Sequence, residues 1–264
     1  MNKPSLHSMA SEVGEDAPLL STKVFYCALS FGLFGLLGML MSLTLLPLML
    51  LIPIGARRRH RYTRWVLSRF FPLYIRFMEW CKLIKIRRHG CDRLKDGGQL
   101  IIANHPSLLD VVYLIATVKN ANCVAKRSVF FNPFTAGIVR AAGYIRNDSP
   151  TLLEDCAASL AAGDNLIVFP EGTRTSPNKP FRFLRGTANV ALAAGCDIRP
   201  IVIRSNPARL MKHQAWYEMS TETLNVDIET LPPIRIKPYL ENETRRSKTA
   251  RVLTTDLENF YRGL

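Results

Sequence analysis

What this chain has little of narrows it before any motif is read. Acidic residues are scarce: 21 Asp and Glu stand against 35 Lys and Arg, a net charge of +14 over 264 residues. So basic a chain wants a polyanion, and nucleic acid and an anionic membrane face are the two candidates. The six cysteines (Cys27, Cys81, Cys91, Cys123, Cys156 and Cys196) contain no Cys-x-x-Cys pair. Their wide gaps exclude a zinc pattern and a disulfide framework and read as reduced, mostly buried thiols. The absence of any Gly-x-Ser-x-Gly elbow argues against the serine nucleophile of an α/β-hydrolase. Helix-turn-helix, zinc-finger and RNA-binding signatures are missing, as are internal repeats and low-complexity linkers. Hydrophobic residues make up 48%, too many for a disordered chain.

The longest absence is of charge. Val24 to Ile54 is 31 residues without one charge, and only Ser30, Ser42 and Thr44 bring aliphatic hydroxyls. At about 1.5 Å per residue a straight helix of that length reaches roughly 46 Å, against a hydrocarbon core about 30 Å thick. Pro47 and Pro53 also argue against one upright helix. A tilted helix with a broken end and a re-entrant hairpin both fit. The run is too long for a secretory signal, and Glu12, Glu15 and Asp16 precede it. Gly32, Gly35 and Gly38 recur every three residues, which suits close helix packing and equally suits bare lipid contact.

Cations crowd in where the apolar run ends. Arg57 to Arg93 holds twelve Lys and Arg against Glu79 and Asp92, a net +10 of the total +14. By the positive-inside rule this end faces the cytoplasm, which places the rest of the chain on the cytoplasmic face of a membrane, read here as a bacterial inner membrane. Tyr62 to Trp80 interleaves aromatic and aliphatic residues with Arg64, Arg69 and Arg76, and Pro72 offers a kink. The pattern fits a basic amphipathic helix in the interface; the alternative is a core helix with a charged back. Beside so long an apolar run, anionic lipid explains the basic block better than nucleic acid. Residues 1–23 read as a flexible tail, 24–80 as membrane-anchoring helices, and 81–264 as a catalytic domain.

From residue 83 strands and helices alternate. Gln99–Ala103, Asn122–Ala125, Gly143–Arg146, Asn165–Phe169 and Ile198–Arg204 read as strands; Leu224–Ile236 reads as one extended, hairpin-like stretch. Leu108–Val118, Pro133–Ala142, Thr151–Ala162, Gly186–Ala194 and Glu243–Tyr261 read as helices. The expected fold is α/β: a mixed, largely parallel sheet flanked by helices, with an N-terminal membrane-embedding helical segment. Ligand sites in such folds sit where strands end and loops begin, and both polar motifs fall there.

The first motif is Asn104-His-Pro-Ser-Leu-Leu-Asp110. His105 follows a strand and Asp110 lies one turn into the following helix, so the carboxylate can reach back to one imidazole nitrogen and raise the basicity of the other. The bland reading is a capping Ser107 between an ordinary surface His and Asp. Cys123 and Cys196 lie in apolar strand contexts that disfavour thiolates. The substrate then brings its own hydroxyl, and His105 deprotonates it as it attacks a thioester. The second motif, Phe169-Pro-Glu-Gly-Thr-Arg-Thr175, ends a strand. Gly172 allows close backbone approach, Arg174 offers a planar fork for phosphate, and Thr173 and Thr175 add hydroxyls. Glu171 can orient Arg174 or bond an acceptor hydroxyl; a structural Arg–Glu turn is the bland reading. Lys126 with Asn132-Pro-Phe-Thr-Ala-Gly137 and Gly143-Tyr-Ile-Arg146, and the strand Arg199-Pro-Ile-Val-Ile203, carry little alone.

Taken together, in this order and at these spacings, the four blocks resemble the glycerophospholipid acyltransferases, the family of 1-acylglycerol-3-phosphate acyltransferase. The likeness spans about residues 80–210. It implies that His105 is the general base and Asp110 its orienting carboxylate. It implies further that Lys126, Glu171, Gly172, Thr173 and Arg174 bind the acceptor and its phosphate. Acyl-CoA or acyl carrier protein is the implied donor, membrane lipids are partners, and neither metal nor cofactor is implied. The chain departs from the pattern once: Tyr144-Ile-Arg-Asn147 puts Asn147 where the family has arginine, with Arg146 one place early. Neighbours on a strand face opposite sides, so a different acceptor, such as an amino-acid lipid, stays open. So do a thioesterase and a non-enzymatic lipid-binding protein.

Overall fold

The computed structural model describes residues 6–175, 182–208, 222–241 and 245–264. The described strands are β1 (Ile84–His89), β2 (Leu100–Ala103), β3 (Ala121–Ala125), β4 (Ile145–Arg146), β5 (Asn165–Val168), β6 (Ile198–Asn206) and β7 (Leu224–Thr230). They form a sheet in the order β1-β7-β6-β2-β5-β3-β4. Every neighbouring pair is parallel except β6–β7. The helices are α1 (Leu6–Leu51), α2 (Ala56–Trp80), α3 (Asp110–Thr117), α4 (Ala136–Ala141), α5 (Leu152–Ala161), α6 (Gly186–Ala194), α7 (Lys237–Leu240) and α8 (Arg246–Arg262).

The central strand β2 is apolar and buried at every position because both faces are covered. On β2, Ile101 and Ala103 join a core with α1, α2 and α3, while Leu100 and Ile102 join a second core with α5, α6 and α8. The expected mixed, largely parallel sheet between helices is therefore present. Near the C-terminal end of β2 the Tyr261 hydroxyl of α8 reaches the carbonyls of Ile102 and Ile201 at 3.1 and 3.0 Å. This ties the C-terminal helix to β2 and β6.

Several details differ from the sequence reading. Leu224–Ile236 is no hairpin: β7 lies antiparallel on β6, and beyond it Ile234 only bridges back to Ile198. The edge strand β1, unforeseen, pairs parallel with β7. The last helix begins at Arg246; residues 242–244 lie outside the described residues. α1 starts at Leu6, inside the expected tail, and continues through Pro47 to Leu51, so the re-entrant hairpin is not formed. It contains one stretch long and apolar enough to cross a membrane, Thr22–Met49. Where α1 crosses α4, small residues matter: a Cβ on Gly38 would sit 2.7 Å from the Phe134 carbonyl oxygen, and one on Gly137 2.4 Å from Ser42 Cβ.

Helix α2 packs one face into the core and leaves a cationic, aromatic face exposed. Leu67, Phe71, Tyr74, Ile75 and Met78 are buried in the core. Arg64, expected among the exposed cations, is buried with them. Its Nε donates to the Ala142 carbonyl at 2.7 Å. Its Nη1 lies 2.8 Å from Asp164 Oδ2, an ion pair whose N–H points off the hydrogen-bond line. Asp164, just before β5, also accepts from Arg61 Nε at 3.1 Å, Asn120 Nδ2 at 2.8 Å and the Ser159 hydroxyl at 3.1 Å. Burial pushes its carboxyl up, but these donors outweigh it and hold it below the ordinary value.

Asp164 thus fastens α2 to the sheet, and Asp164→Asn strands the Arg64 charge in the core. The expected cost is about 3–5 kcal/mol, read by chemical denaturation of the purified chain in detergent. Because the folded pKa is depressed, Asp164's own contribution is present above the ordinary carboxylate range and lost as pH falls through the lowered value. A variant within about 1 kcal/mol of the parent contradicts this role.

Candidate active site

β2 stops at Ala103, and the side chain of Asn104 takes over its pairing with β6. Its Nδ2 donates to the Ile203 carbonyl at 2.8 Å and its Oδ1 accepts the Ile203 N–H at 2.7 Å. The amide copies a backbone pair, so the main chain can leave the sheet one residue early. His105 emerges at that point.

The His105 ring is held on two sides. Nδ1 lies 2.8 Å from Asp110 Oδ2. Phe169, at the end of β5, stacks on the imidazole with centroids 4.3 Å apart and 27° between planes. Asp110 is fully buried and its carboxylate also takes the Ser107 N–H at 2.7 Å and the Ser107 hydroxyl at 2.6 Å. The Ser107 proton is therefore committed to Asp110, and its oxygen accepts the Leu109 N–H at 3.2 Å. That occupies Ser107 and agrees with reading it as support, not nucleophile. With Nδ1–H donating to Asp110, Nε2 carries the lone pair; it has no partner among the described residues, and the side chain is 16% exposed. The buried thiols offer no rival: burial pushes Cys123 up to about 12 and Cys196 up to about 11.

The second motif closes over the first from β5. Thr175 N–H donates to the His105 carbonyl at 2.7 Å, and His105 N–H donates to Glu171 Oε1 at 3.0 Å. The Thr175 hydroxyl donates to the same Glu171 oxygen at 2.9 Å. Glu171 and Thr175 thus form a latch on the backbone of His105. Sequence reasoning gave Glu171 to the acceptor or to Arg174; its partner here is a main-chain amide, which no motif announces. Burial pushes the Glu171 carboxyl up, against the pull of the His105 amide and the Thr175 hydroxyl. Gly172 sits at φ +65°, its N–H donates to the Phe169 carbonyl at 3.0 Å, and a Cβ there would meet Leu184 Cδ1 at 2.5 Å. The positive φ is what favours glycine in this turn, since the Leu184 methyl is the end of a flexible side chain that can shift.

The remaining candidates share the C-terminal edge of the sheet but not the dyad's immediate contacts. Thr173 is exposed and Arg174 half-buried on the same loop as Glu171. Lys126 ends β3, with β5 between it and β2, and is exposed. Arg146 makes a bidentate pair with Asp148 at 3.0 and 2.9 Å, and the Asn147 side chain accepts the Arg127 N–H at 3.1 Å. Among the described residues no group of His, Cys, Asp and Glu is arranged to hold a metal ion.

Comparison with known proteins identifies the family and the fold. A family model described as acyltransferase matches residues 85–204. A 1-acyl-sn-glycerol-3-phosphate acyltransferase from Helicobacter pylori is 30% identical over 162 residues, covering 58% of this chain and 68% of that one. A chloroplastic 1-acyl-sn-glycerol-3-phosphate acyltransferase from Arabidopsis thaliana is 24% identical over 190 residues; the match covers 68% of this chain but only 50% of that protein's length. The crystal structure of the 1-acyl-sn-glycerophosphate acyltransferase from Thermotoga maritima superposes with a TM-score of 0.60 at 20% identity, over 94% of this chain and 96% of that one. With the fold, the matched segment and the relatives in agreement, this chain belongs to the acyltransferase family, alongside the 1-acyl-sn-glycerol-3-phosphate acyltransferases.

Proposed function

We propose that the protein transfers a fatty acyl group from an acyl thioester to the free hydroxyl of 1-acylglycerol-3-phosphate at a membrane. The observation that carries the chemistry is the open Nε2 of His105 opposite its bond to Asp110. In this reading Nε2 takes the proton of the acceptor hydroxyl as its oxygen attacks the thioester carbonyl. The tetrahedral intermediate collapses with release of the thiolate, which takes the proton from the imidazolium. Asp110 holds the tautomer and balances the transient charge. Arg174 is assigned to the acceptor phosphate, with Thr173 and Lys126 as further contacts, and acyl-CoA or acyl carrier protein is the donor. No cofactor or metal enters this scheme.

The membrane part of the proposal rests on the outer faces of two helices. α1 exposes Phe25, Leu29, Leu36, Leu40 and Leu43, while its inner face packs on the domain from Cys27 to Ser42. A helix lined by a charged domain for so much of its length cannot be wrapped in hydrocarbon on all sides. It suits immersion in one leaflet, with the domain at the headgroup level. α2 adds an exposed stripe of Tyr62, Trp65, Arg69, Leu73, Arg76 and Trp80, an interfacial mixture of aromatic and cationic residues. The preceding Arg57–Arg61 run favours the cytoplasmic side.

A panel of acceptors tests the reaction. Purified full-length protein given labelled acyl thioester and 1-acylglycerol-3-phosphate is expected to form the diacyl product. Product with a different lysolipid or an amino-acid lipid only, the outcome Asn147 would explain, contradicts the acceptor; free fatty acid only contradicts transfer. The latch gives a second expectation. Glu171→Ala releases the backbone of His105, so kcat is expected to fall about a hundredfold while KM for the acceptor changes little. A large rise in KM at unchanged kcat would instead return Glu171 to acceptor binding.

A further inference from the structure

A cleft of about 380 Å³ opens at the end of the sheet opposite His105. Arg61, Trp65, Lys95, Asp96, Lys119 and Asn120 line it, over a floor that includes the backbones of Gly97 and Gly163. Its loop residues precede β2, β3 and β5, whereas the catalytic loops follow β2 and β5. A four-residue strand spans roughly 13 Å, so this cleft is separate from the dyad.

Its charge is one-sided. Arg61, Lys95 and Lys119 face a single lining carboxylate, Asp96. The nearby Asp164 is already engaged by Arg61, Arg64, Asn120 and Ser159. Neither lysine makes an ion pair among the described residues. Arg61 is preset: Nε bonds Asp164 at 3.1 Å and Nη2 bonds the Ala162 carbonyl. A fixed guanidinium beside two lysines suits a phosphate, by a planar donor edge and two mobile point charges. The volume is at the low end for ligand pockets and matches a headgroup, not a whole lipid.

One wall belongs to the membrane-facing stripe. Trp65 is half-exposed; its ring lies 5.6 Å from that of Tyr62, and Arg69 sits 5.7 Å above it. A free anion has no use for that aromatic wall, whereas a lipid brings its phosphate to the cations and its glycerol backbone to the indole. We infer that this cleft is a second lipid site, which holds the phosphate headgroup of an anionic glycerophospholipid from the surrounding leaflet and not the reacting acceptor. The inference rests on the membrane reading above. Its consequence is an enzyme held to the bilayer by one headgroup while it processes another, with membrane affinity set by the anionic lipid content.

Trp65 supplies a reporter far from the dyad. The test uses the full-length chain in uncharged detergent micelles, with Trp80→Phe and Trp216→Phe leaving Trp65 as the sole indole. Titration with dihexanoyl phosphatidylglycerol is expected to change its emission saturably. Dihexanoyl phosphatidylcholine and inorganic phosphate are expected to leave it unchanged at the same concentrations. Adding Lys95→Gln and Lys119→Gln should raise half-saturation about tenfold or more, with the thermal midpoint and the basal turnover in micelles preserved. Equal half-saturation in the lysine variant overturns the site. So does an equal response to phosphatidylcholine, and a saturable response to phosphate alone makes it a free-anion site and overturns the lipid. Flotation with mixed phosphatidylcholine and phosphatidylglycerol vesicles reads the membrane proposal separately: a chain that fails to float sinks that proposal while the micelle titration still judges the cleft.

Discussion

The carboxylate of Asp110 organises everything at the catalytic end of the sheet. It is fully buried, and its cost of desolvation is met by three donors: the Ser107 amide, the Ser107 hydroxyl and His105 Nδ1. One group thereby fixes the turn between β2 and α3, removes Ser107 as a nucleophile, and leaves Nε2 as the open end of the imidazole. A lone His beside a lone Asp would have neither its tautomer nor its direction settled. The five-residue separation is what allows the first residue of a helix to reach back over the loop that precedes it.

That carboxylate fixes only one end of the ring; the backbone of His105 needs its own restraint. Asn104 supplies part of it by replacing a ladder pair with its amide. Glu171 and Thr175 supply the rest by bonding the His105 N–H and C=O from the neighbouring β5 loop. The two conspicuous motifs are therefore one structural unit. The second serves the first through main-chain bonds, and its Phe169 also covers the imidazole face. Preorganisation of this kind serves the proposed role of His105, because a general base must meet its proton within hydrogen-bond reach.

The fold was largely legible because the central strands are buried on both faces. Leu100–Ala103 and Asn165–Val168 are nearly continuous apolar runs between turn residues, and such runs announce themselves. β1 escaped because Ile-Lys-Ile-Arg-Arg-His is an edge strand with an exposed, basic half, indistinguishable in sequence from the juxtamembrane block around it. Arg64 escaped for a related reason. It sits in a run of arginines, and its partner Asp164 lies a hundred residues on, so only the fold reveals which cation is structural. At the site, the contact between His105 and Asp110 was open to sequence because their spacing lets the carboxylate reach back to the ring, although spacing alone left an ordinary surface His and Asp equally open. The latch was not, since Glu171 and Asn104 bond main-chain atoms, which every residue possesses.

The two ends of the sheet carry distinct groups on one scaffold: a polar dyad where β2 ends, and a cationic cleft where β2 and β5 begin, with α1 and α2 exposing apolar and aromatic side chains. The account stands or falls on the imidazole. The most direct measurement is diacyl product formation from acyl thioester and 1-acylglycerol-3-phosphate by His105→Ala beside the parent chain, with folding checked by thermal midpoint. The account predicts a folded variant whose turnover is lower by at least about 10²-fold. A folded variant that turns over at the parent rate would contradict it.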